Sequence, residues 1–333
     1  MIMSAHVSTA NGQHIPVLLN EVVTALRPGN GEVCVDGTFG AGGYSRAVLG
    51  AADCSVIGID QDPDAAKRAK AFGEEFKGRF SFVAGRFGDM AALLSDLDVE
   101  AVDGVMLDIG VSSFQLDEAE RGFSFQEDGP LDMRMSVSGE SAADVVNTYG
   151  EAELADIIYS YGEERKSRRI AAAIVKRRDD QSFERTKDLA ALVESVIGRP
   201  PVTKGRKPVH PATRTFQALR IHVNDELGEL RRGLHSAEQV LKPGGRLVVV
   251  SFHSLEDRIV KSFMTERSGN TPSGSRHMPV QVFEQRQPPF RLEKRGVIKP
   301  SAEEERSNPR SRSAKLRVAV RTDAPASEES SNA

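Results

Sequence analysis

Apolar and polar residues alternate in blocks along the first 110 positions. Four apolar runs have strand length: EVCVDG (32–37), SVIGID (55–60), FSFVAG (80–85) and VDGVMLDIG (102–110). Between them, DPDAAKRAKAFGEEF and MAALLSDL read as helices. Ahead of the first run, HIPVLLNEVVTALRP spaces Leu19, Val22, Val23 and Leu26 along one helix face, with Pro16 in the first turn and Pro28 ending the run. Strand and helix taking turns in this way predict a parallel sheet with right-handed crossovers.

The pattern breaks near residue 140. From there TYGEAELADIIYSYG, ERKSRRIAAAIVKRR and TKDLAALVESVIG follow one another as helices, the first opened by an expected capping box of Thr148 and Glu151. A helix is expected over 216–241, and strand character returns only at GGRLVVVSFHS (244–254) and AKLRVAVRT (314–322). If the late strands complete the early sheet, the helical block is an insertion. The expected organisation is therefore a disordered N-terminus (1–13), a sheet domain (14–118 and 216–321), an inserted helical domain (119–215) and a disordered acidic tail (322–333). Residues 268–313 are rich in Pro, Gly, Ser and Arg and read as mostly loop.

Composition narrows the class. The chain has 333 residues, 39% hydrophobic and 28% charged, enough for one large core or one core with a satellite. It carries no apolar run of about 18 residues, and MIMSAHVSTANGQH lacks the basic-then-apolar start of a secretory signal, so a cytoplasmic protein away from membranes is expected. The two cysteines, Cys34 and Cys54, read as buried thiols, and no cluster of His, Cys and acids suggests a metal. The net charge of −4 hides an asymmetry: residues 1–140 carry 10 basic against 22 acidic side chains, and residues 264–321 carry 13 against 6. A basic half suits an anionic partner, nucleic acid included; solvated helix faces would leave the same pattern.

The candidate chemistry starts where the first strand runs into Gly37, Gly40, Gly42 and Gly43. A glycine-rich turn opening a helix lets a ligand approach the backbone. Asp60 ends the second strand twenty residues after Gly40, where an acid bonds ribose hydroxyls in nucleotide-binding sheets. Phe87 could pack on an adenine face, and Asp108 could meet the polar end of the same ligand. The spacing G-x-x-G-x-G-G is not the dinucleotide G-x-G-x-x-G, which disfavours an oxidoreductase, and Asp36, Asp60 and Asp108 suit a cationic sulfonium.

The motifs HIPVLLNEVV, DGTFGAGGYSR, GIDQDPDA, LDIGVSSFQLDEAERGFSFQEDGPLDMRM, YGEERKSRRIA, HPATRTFQALRIHVNDEL, LKPGGRLVVVSFHSLEDRIVK and NPRSRSAKLR together resemble the RsmH (MraW) family from His14 to Arg321. The resemblance implies an α/β fold, a Rossmann-like class I methyltransferase sheet with an inserted all-helical domain. It implies S-adenosyl-L-methionine as donor and the N4 amine of a cytidine in the decoding region of bacterial 16S rRNA as acceptor, with the small ribosomal subunit as partner. Monomer or homodimer stays open. The implied donor contacts fall on Gly42, Gly43, Tyr44, Asp60, Phe87, Asp108 and Gln115; Tyr44 stands where the family often has histidine.

An exocyclic cytosine amine is a poor nucleophile because its lone pair is delocalised into the ring. Hydrogen-bond acceptors on its protons would localise that pair. The loop DIGVSSFQ lacks a D-P-P-Y-like motif, so Asp108 or carbonyls after it are the candidate acceptors, with Ser112 and Ser113 either shaping the pocket or only forming a turn. His253 and Arg258 either border the RNA or, for His253, serve structure. His210 and Arg214 either grip phosphates or cap and pack, and Phe123 and Phe125 either stack on bases or anchor the insert. No G-x-S-x-G elbow supports a hydrolase triad at Ser251, His253 and Asp257; the alternatives are a related methyltransferase acting on DNA or a small molecule, a nucleotide-dependent oxidoreductase, and a non-catalytic RNA-binding or assembly factor.

Overall fold

The computed structural model describes residues 16–136, 138–199, 209–270, 287–293 and 296–327. Seven strands form one sheet: β1 (Val33–Asp36), β2 (Ser55–Asp60), β3 (Phe80–Ala84), β4 (Val102–Asp108), β5 (Leu241–Ser251), β6 (Phe290–Arg291) and β7 (Lys315–Arg321), in the order β3-β2-β1-β4-β5-β7-β6. Neighbours from β3 through β5 are parallel, and β7 runs antiparallel to both β5 and β6. This is the class I methyltransferase sheet expected from the motifs, and β5 and β7 close it only after the long helical excursion.

Both faces of the sheet are covered, as the apolar runs require. Cys34, Val56, Met106, Val248 and Val250 point to one side, onto helices Leu19–Leu26, Gly43–Ala51 and Pro63–Glu75. Their chain neighbours Val35, Ile57, Leu107, Leu247 and Val249 point to the other, onto helices Met90–Ser95, Glu226–Val240 and Ser254–Arg267. Both cysteines are buried and free.

A second core is helical. Val145, Leu154, Ile158, Ile170, Ile174, Phe183, Leu189 and Val193 pack together with Phe216 and Leu219, so helix Thr213–Asn224, which the sequence reading divides between insert and sheet, gives its buried face to the helical cluster. The single helix expected over 216–241 is two, Thr213–Asn224 and Glu226–Val240, broken at Asp225, whose φ is 50°. The expected Thr148–Glu151 capping box does not form: Thr148 ends helix Ala142–Thr148, its hydroxyl donates to Asp144 O, and the next helix starts at Glu151 with Gly150 N–H donating to Glu153. Pro16 precedes its helix, which begins at Leu19 because Leu18 is left-handed. Within the segment read as loop, Ala302–Ser307 is a helix.

The tail is not free from residue 322. Thr322 N–H donates to Pro289 O, Arg321 Nη1 to Ala324 O, and Ser327 N–H to Glu238 Oε1, so the chain stays on the body as far as Ser327. The expected disordered stretches 1–13 and 328–333 lie outside the described residues.

Candidate active site

Strand order reverses between β1 and β4, and at such a point the loops leaving adjacent strands diverge to open a crevice at their carboxyl ends. The cleft there has a volume of ≈ 1630 Å³. The glycine loop and the tips of β2, β3 and β4 form one part of its lining; helix Thr213–Asn224, Phe252 and His253 form another.

The glycine loop is built around Asp60. One carboxylate oxygen accepts from Gly40 N–H at 2.7 Å and the other from Asp62 N–H at 2.9 Å, and Gly40 takes φ 54° to make the turn. Each oxygen keeps a lone pair for a hydroxyl. Helix Gly43–Ala51 then begins, and the N–H groups of its first turn have no carbonyl of their own helix to bond. Gly42 and Gly43 lack side chains for reasons of packing: a Cβ on Gly42 would fall 2.7 Å from the Phe39 and Phe72 rings, and one on Gly43 would fall 2.3 Å from Pro16. Gly43 lines the cleft with Gly40 and Ala41, whereas Gly42 is turned toward those rings.

Three carboxyls crowd this end. Burial pushes Asp36 up to about 6, although Ser45 Oγ donates to it at 2.7 Å and Thr38 N–H at 3.3 Å. Burial also raises Asp60. Asp108 is raised well above the usual carboxylate range, first by burial and then by the charges of Asp36 and Glu256. Its backbone N–H donates to Thr38 Oγ1 at 2.7 Å, but its Oδ1 is buried without a hydrogen bond. The neighbouring Tyr44 hydroxyl does not satisfy it, because that proton goes to Val17 O at 2.5 Å. A buried acceptor left over among three carboxyls fits a cationic ligand bearing N–H groups. Tyr44 itself is buried, so its side chain fastens the Pro16–Leu18 segment while its backbone stands at the helix start.

Phe87 lines the cleft beyond β3, and helix Glu226–Val240 holds it in place. A Cβ on Gly233 would fall 2.3 Å from the Phe87 ring; Glu229 accepts from Gly88 N–H at 2.7 Å, and Ser236 Oγ donates to Gly88 O at 2.7 Å. After β4, Ser112 and Gln115 form a reciprocal capping box, with Ser112 N–H donating to Gln115 Oε1 at 2.9 Å and Gln115 N–H to Ser112 Oγ at 3.2 Å. The Ser112 hydroxyl is therefore a helix cap, the turn-forming alternative, at the wall of the cleft. Ser113 starts the helix Ser113–Asp117; its side chain lies outside the described residues. The Gln115 amide reaches Asp62 at 2.7 Å, Arg121 Nη1 meets the same carboxylate at 3.0 Å, and Arg121 Nη2 donates to the carbonyls of Arg134 and Met135. One buried aspartate thus ties the β2 tip, the β4 loop and the start of the insert together.

The residues proposed for RNA divide. His210 Nδ1 accepts from Ala212 N–H at 3.2 Å, and its ring lies 4.7 Å from Phe125, so it caps and packs. Phe125 also meets Phe216, and Phe123 is buried in the same helical cluster; both rings line the cleft as well. His253 Nδ1 accepts from Glu256 N–H, and its Nε2 lies 2.9 Å from the fully buried Glu256 Oε1, a structural cap on the cleft wall. Arg214 and Arg258 are well exposed on either side of Glu163, which both contact, and neither lines the cleft. Ser251, Ser254 and Asp257 form no triad: they bond Lys315 O, Glu163, and Lys315 with Arg317 respectively. Glu226, His253 and Glu256 bring ligand atoms within 4.8 Å of one another, which is a spacing for a cation; both Glu226 oxygens accept from Arg220, whereas His253 Nε2 and Glu256 Oε1 are buried without a hydrogen bond among the described residues.

Sequence reasoning missed Thr38, Asp62, Arg121, Arg220, Glu226 and Glu256. Asp62 alone left a signal, since Asp before Pro63 is a helix N-cap signature, and its side chain accepts from Asp64 N–H. The others acquire partners only across the fold.

No helix among the described residues is long and apolar enough to cross a membrane. The profile of the MraW methylase family matches residues 11–322. The chain is 56% identical over 321 residues to a protein of Hyphomonas neptunium named ribosomal RNA small subunit methyltransferase H, covering 96% of this chain and 92% of that one. A protein of the same name from Caulobacter vibrioides is 59% identical over 312 residues, 94% of this chain and 96% of the relative. A third, from Paramagnetospirillum magneticum, is 58% identical over 313 residues, 94% and 97%. With its sheet order, its acid-lined glycine loop and a match over nearly its whole length, the chain belongs to the MraW methylase family.

Proposed function

We propose that this protein transfers the methyl group of S-adenosylmethionine to the N4 amine of a cytidine in the decoding region of 16S rRNA. The observation that carries the reading is the size of the cleft at the acid-lined glycine loop. Small-ligand sites run from about 300 to 1,000 Å³, and ≈ 1630 Å³ leaves room for a nucleoside beside the donor. The names of the relatives point to small-subunit rRNA as the acceptor.

The donor end is assigned to the glycine loop, with Asp60 on the ribose, Phe87 on the adenine, and Gly43, Tyr44 and Gln115 supplying walls and backbone groups; Gly42 shapes the loop from behind. Asp108 faces the sulfonium and methionine amine. In the reaction the amine nitrogen forms a bond to the methyl carbon as the carbon–sulfur bond breaks, and the amine then sheds one proton. Asp108 Oδ1 or the carbonyls after it accept from the amine and so localise its lone pair. Carbon-5 methylation would need a thiolate attacking the ring. Cys34 and Cys54 lie buried in the sheet region, and burial pushes the Cys34 thiol up to about 12, which favours nitrogen chemistry.

A paired or stacked cytidine must be turned out to reach this depth. Exposed cations on the insert and beside it, Arg165, Arg168, Arg214 and Arg258, are assigned to the flanking phosphates, while His210 and His253 support the wall. The test is incubation with labelled S-adenosylmethionine and small subunits from cells lacking the enzyme, mapping the product by mass spectrometry, beside Asp60→Ala. N4-methylcytidine in the decoding region, with donor affinity roughly 10- to 100-fold weaker in the variant through loss of charge-assisted hydrogen bonds, is the expected result. Donor binding without labelled subunit RNA would overturn the acceptor assignment.

A further inference from the structure

Helix Thr213–Asn224 turns one face to the cleft: Thr213, Phe216, Gln217, Arg220 and Asn224 recur at three- and four-residue spacing. Arg220 is the cation on that face. Its Nε donates to Glu226 Oε1 at 2.7 Å and its Nη2 to Glu226 Oε2 at 2.8 Å, the side-on fork of a bidentate pair. This uses one edge of the guanidinium plane. The other edge, Nη1 with the second N–H of Nη2, makes no hydrogen bond among the described residues. Nη1 is not among the buried unpaired atoms, so that edge opens to the cleft, where the side chain keeps 15% exposure. Glu226 is itself buried, and burying both charges costs desolvation; in return the guanidinium plane is held in one orientation. The position faces the β4 tip through Glu256: a carboxylate oxygen of Glu226, the partner of Arg220, lies within 4.8 Å of one of Glu256, and a Cβ on Gly110, two residues after Asp108, would fall 3.9 Å from Glu256 Oε1.

We propose that the free edge of Arg220 reads the N3 and O2 acceptors of the target cytosine and so aims the N4 amine at the methyl donor. The inference rests on the cytosine-N4 reading above. Neutral cytosine presents two adjacent acceptors, O2 and N3, beside its amine, and two parallel N–H groups match them. Uracil would set an N3–H donor against the same N–H groups, a mismatch that a site built on hydrogen bonds rejects strongly. Arg220 is thus a positioning and specificity residue, and Glu226 fixes its plane.

The experiment compares wild type, Arg220→Gln and Arg220→Lys in single-turnover methylation at saturating donor. The acceptors are subunits carrying either cytidine or 3-deazacytidine, which replaces N3 by C–H and keeps the amine, at the target position. On cytidine, each variant is expected to lose tenfold or more in rate, on the order of one charged hydrogen bond, with donor affinity unchanged; the melting temperature should fall further in Arg220→Gln, which leaves the buried Glu226 without a cation, than in Arg220→Lys. Wild type is expected to lose a comparable factor on 3-deazacytidine, and the variants less than about twofold further, because the two changes remove one interaction. Losses that multiply, as a grip on a backbone phosphate would give, overturn the proposal, as does a wild type indifferent to 3-deazacytidine. Should one variant melt early, the other and the wild-type comparison decide. Absence of N4 methylation on unmodified subunits would instead sink the acceptor reading on which the proposal stands.

Discussion

Asp36 shows how a single buried carboxyl couples stability to pH. Burial raises it to about 6 from 3.8, so between those values the native protein holds a proton that the unfolded chain has released. Its stabilising contribution is present below about pH 3.8 and is lost as pH rises through about 6. Asp36→Asn should therefore flatten the stability profile over this window: urea midpoints at pH 4.5 and 7 are expected to differ less in the variant than in wild type. An unchanged difference would show that Asp36 does not titrate with folding. Tyr44 makes a second residue-scale case. Its hydroxyl holds Val17 O across the donor end of the cleft, and Tyr44→Phe should cost about 1 kcal/mol of stability, read as a lower urea midpoint, with donor affinity following the looser Pro16–Leu18 segment. Donor affinity that falls without any change in midpoint would place the tyrosine on the ligand instead.

Among the elements, the junctions between sheet and insert carry the tightest geometry. A Cβ on Gly129 would fall 1.8 Å from Ala119 O, and one on Gly122 2.2 Å from Pro130 O at a φ of 71°. Neither backbone atom can swing aside as a side chain would. Gly129→Ala should destabilise by about 3 kcal/mol and shift the unfolding of the helical cluster before that of the sheet, a separation that hydrogen exchange resolves. The Gln115–Asp62–Arg121 link works at the same scale, since it joins three loops that the chain visits far apart. Arg121→Ala leaves Asp62 buried with one partner fewer, and weakening of donor binding by roughly tenfold is expected from that loss. Calorimetric titration with S-adenosylmethionine checks it, and unaltered affinity would remove the link from the donor site.

Across the whole molecule, charge is divided between regions. The N-terminal strands and their loops are acidic, while exposed arginines sit on the insert and at its border. Binding of RNA should accordingly weaken linearly in log–log terms with salt, and Arg214→Ala or Arg258→Ala should each reduce the slope by about 1 if they meet phosphates. Slopes equal to wild type would return both arginines to their contacts with Glu163. Those substitutions leave the cleft untouched, so methyl transfer at saturating acceptor should be preserved.

Local pattern determined the alternating strands and helices, the parallel sheet and the interruption by helices, because each depends on which residues within a short window are apolar. It also marked the glycine loop and Asp60, where a turn, a helix start and an acid at a strand end leave traces in adjacent positions. Caps moved by one or two residues, as at Gly150, since competing side chains offer nearly equal bonds. What tertiary structure alone decided are the pairings across long separations. Asp62 and Arg121 are 59 positions apart, Gly88 and Glu229 are 141 apart, and the Arg220–Glu226 pair matters only because the fold lays its helix along the cleft. The same holds for Phe123, Phe125, His210 and His253, whose residue types permit either binding or packing. The packing partner of each ring is a property of the folded chain that no short stretch of sequence contains.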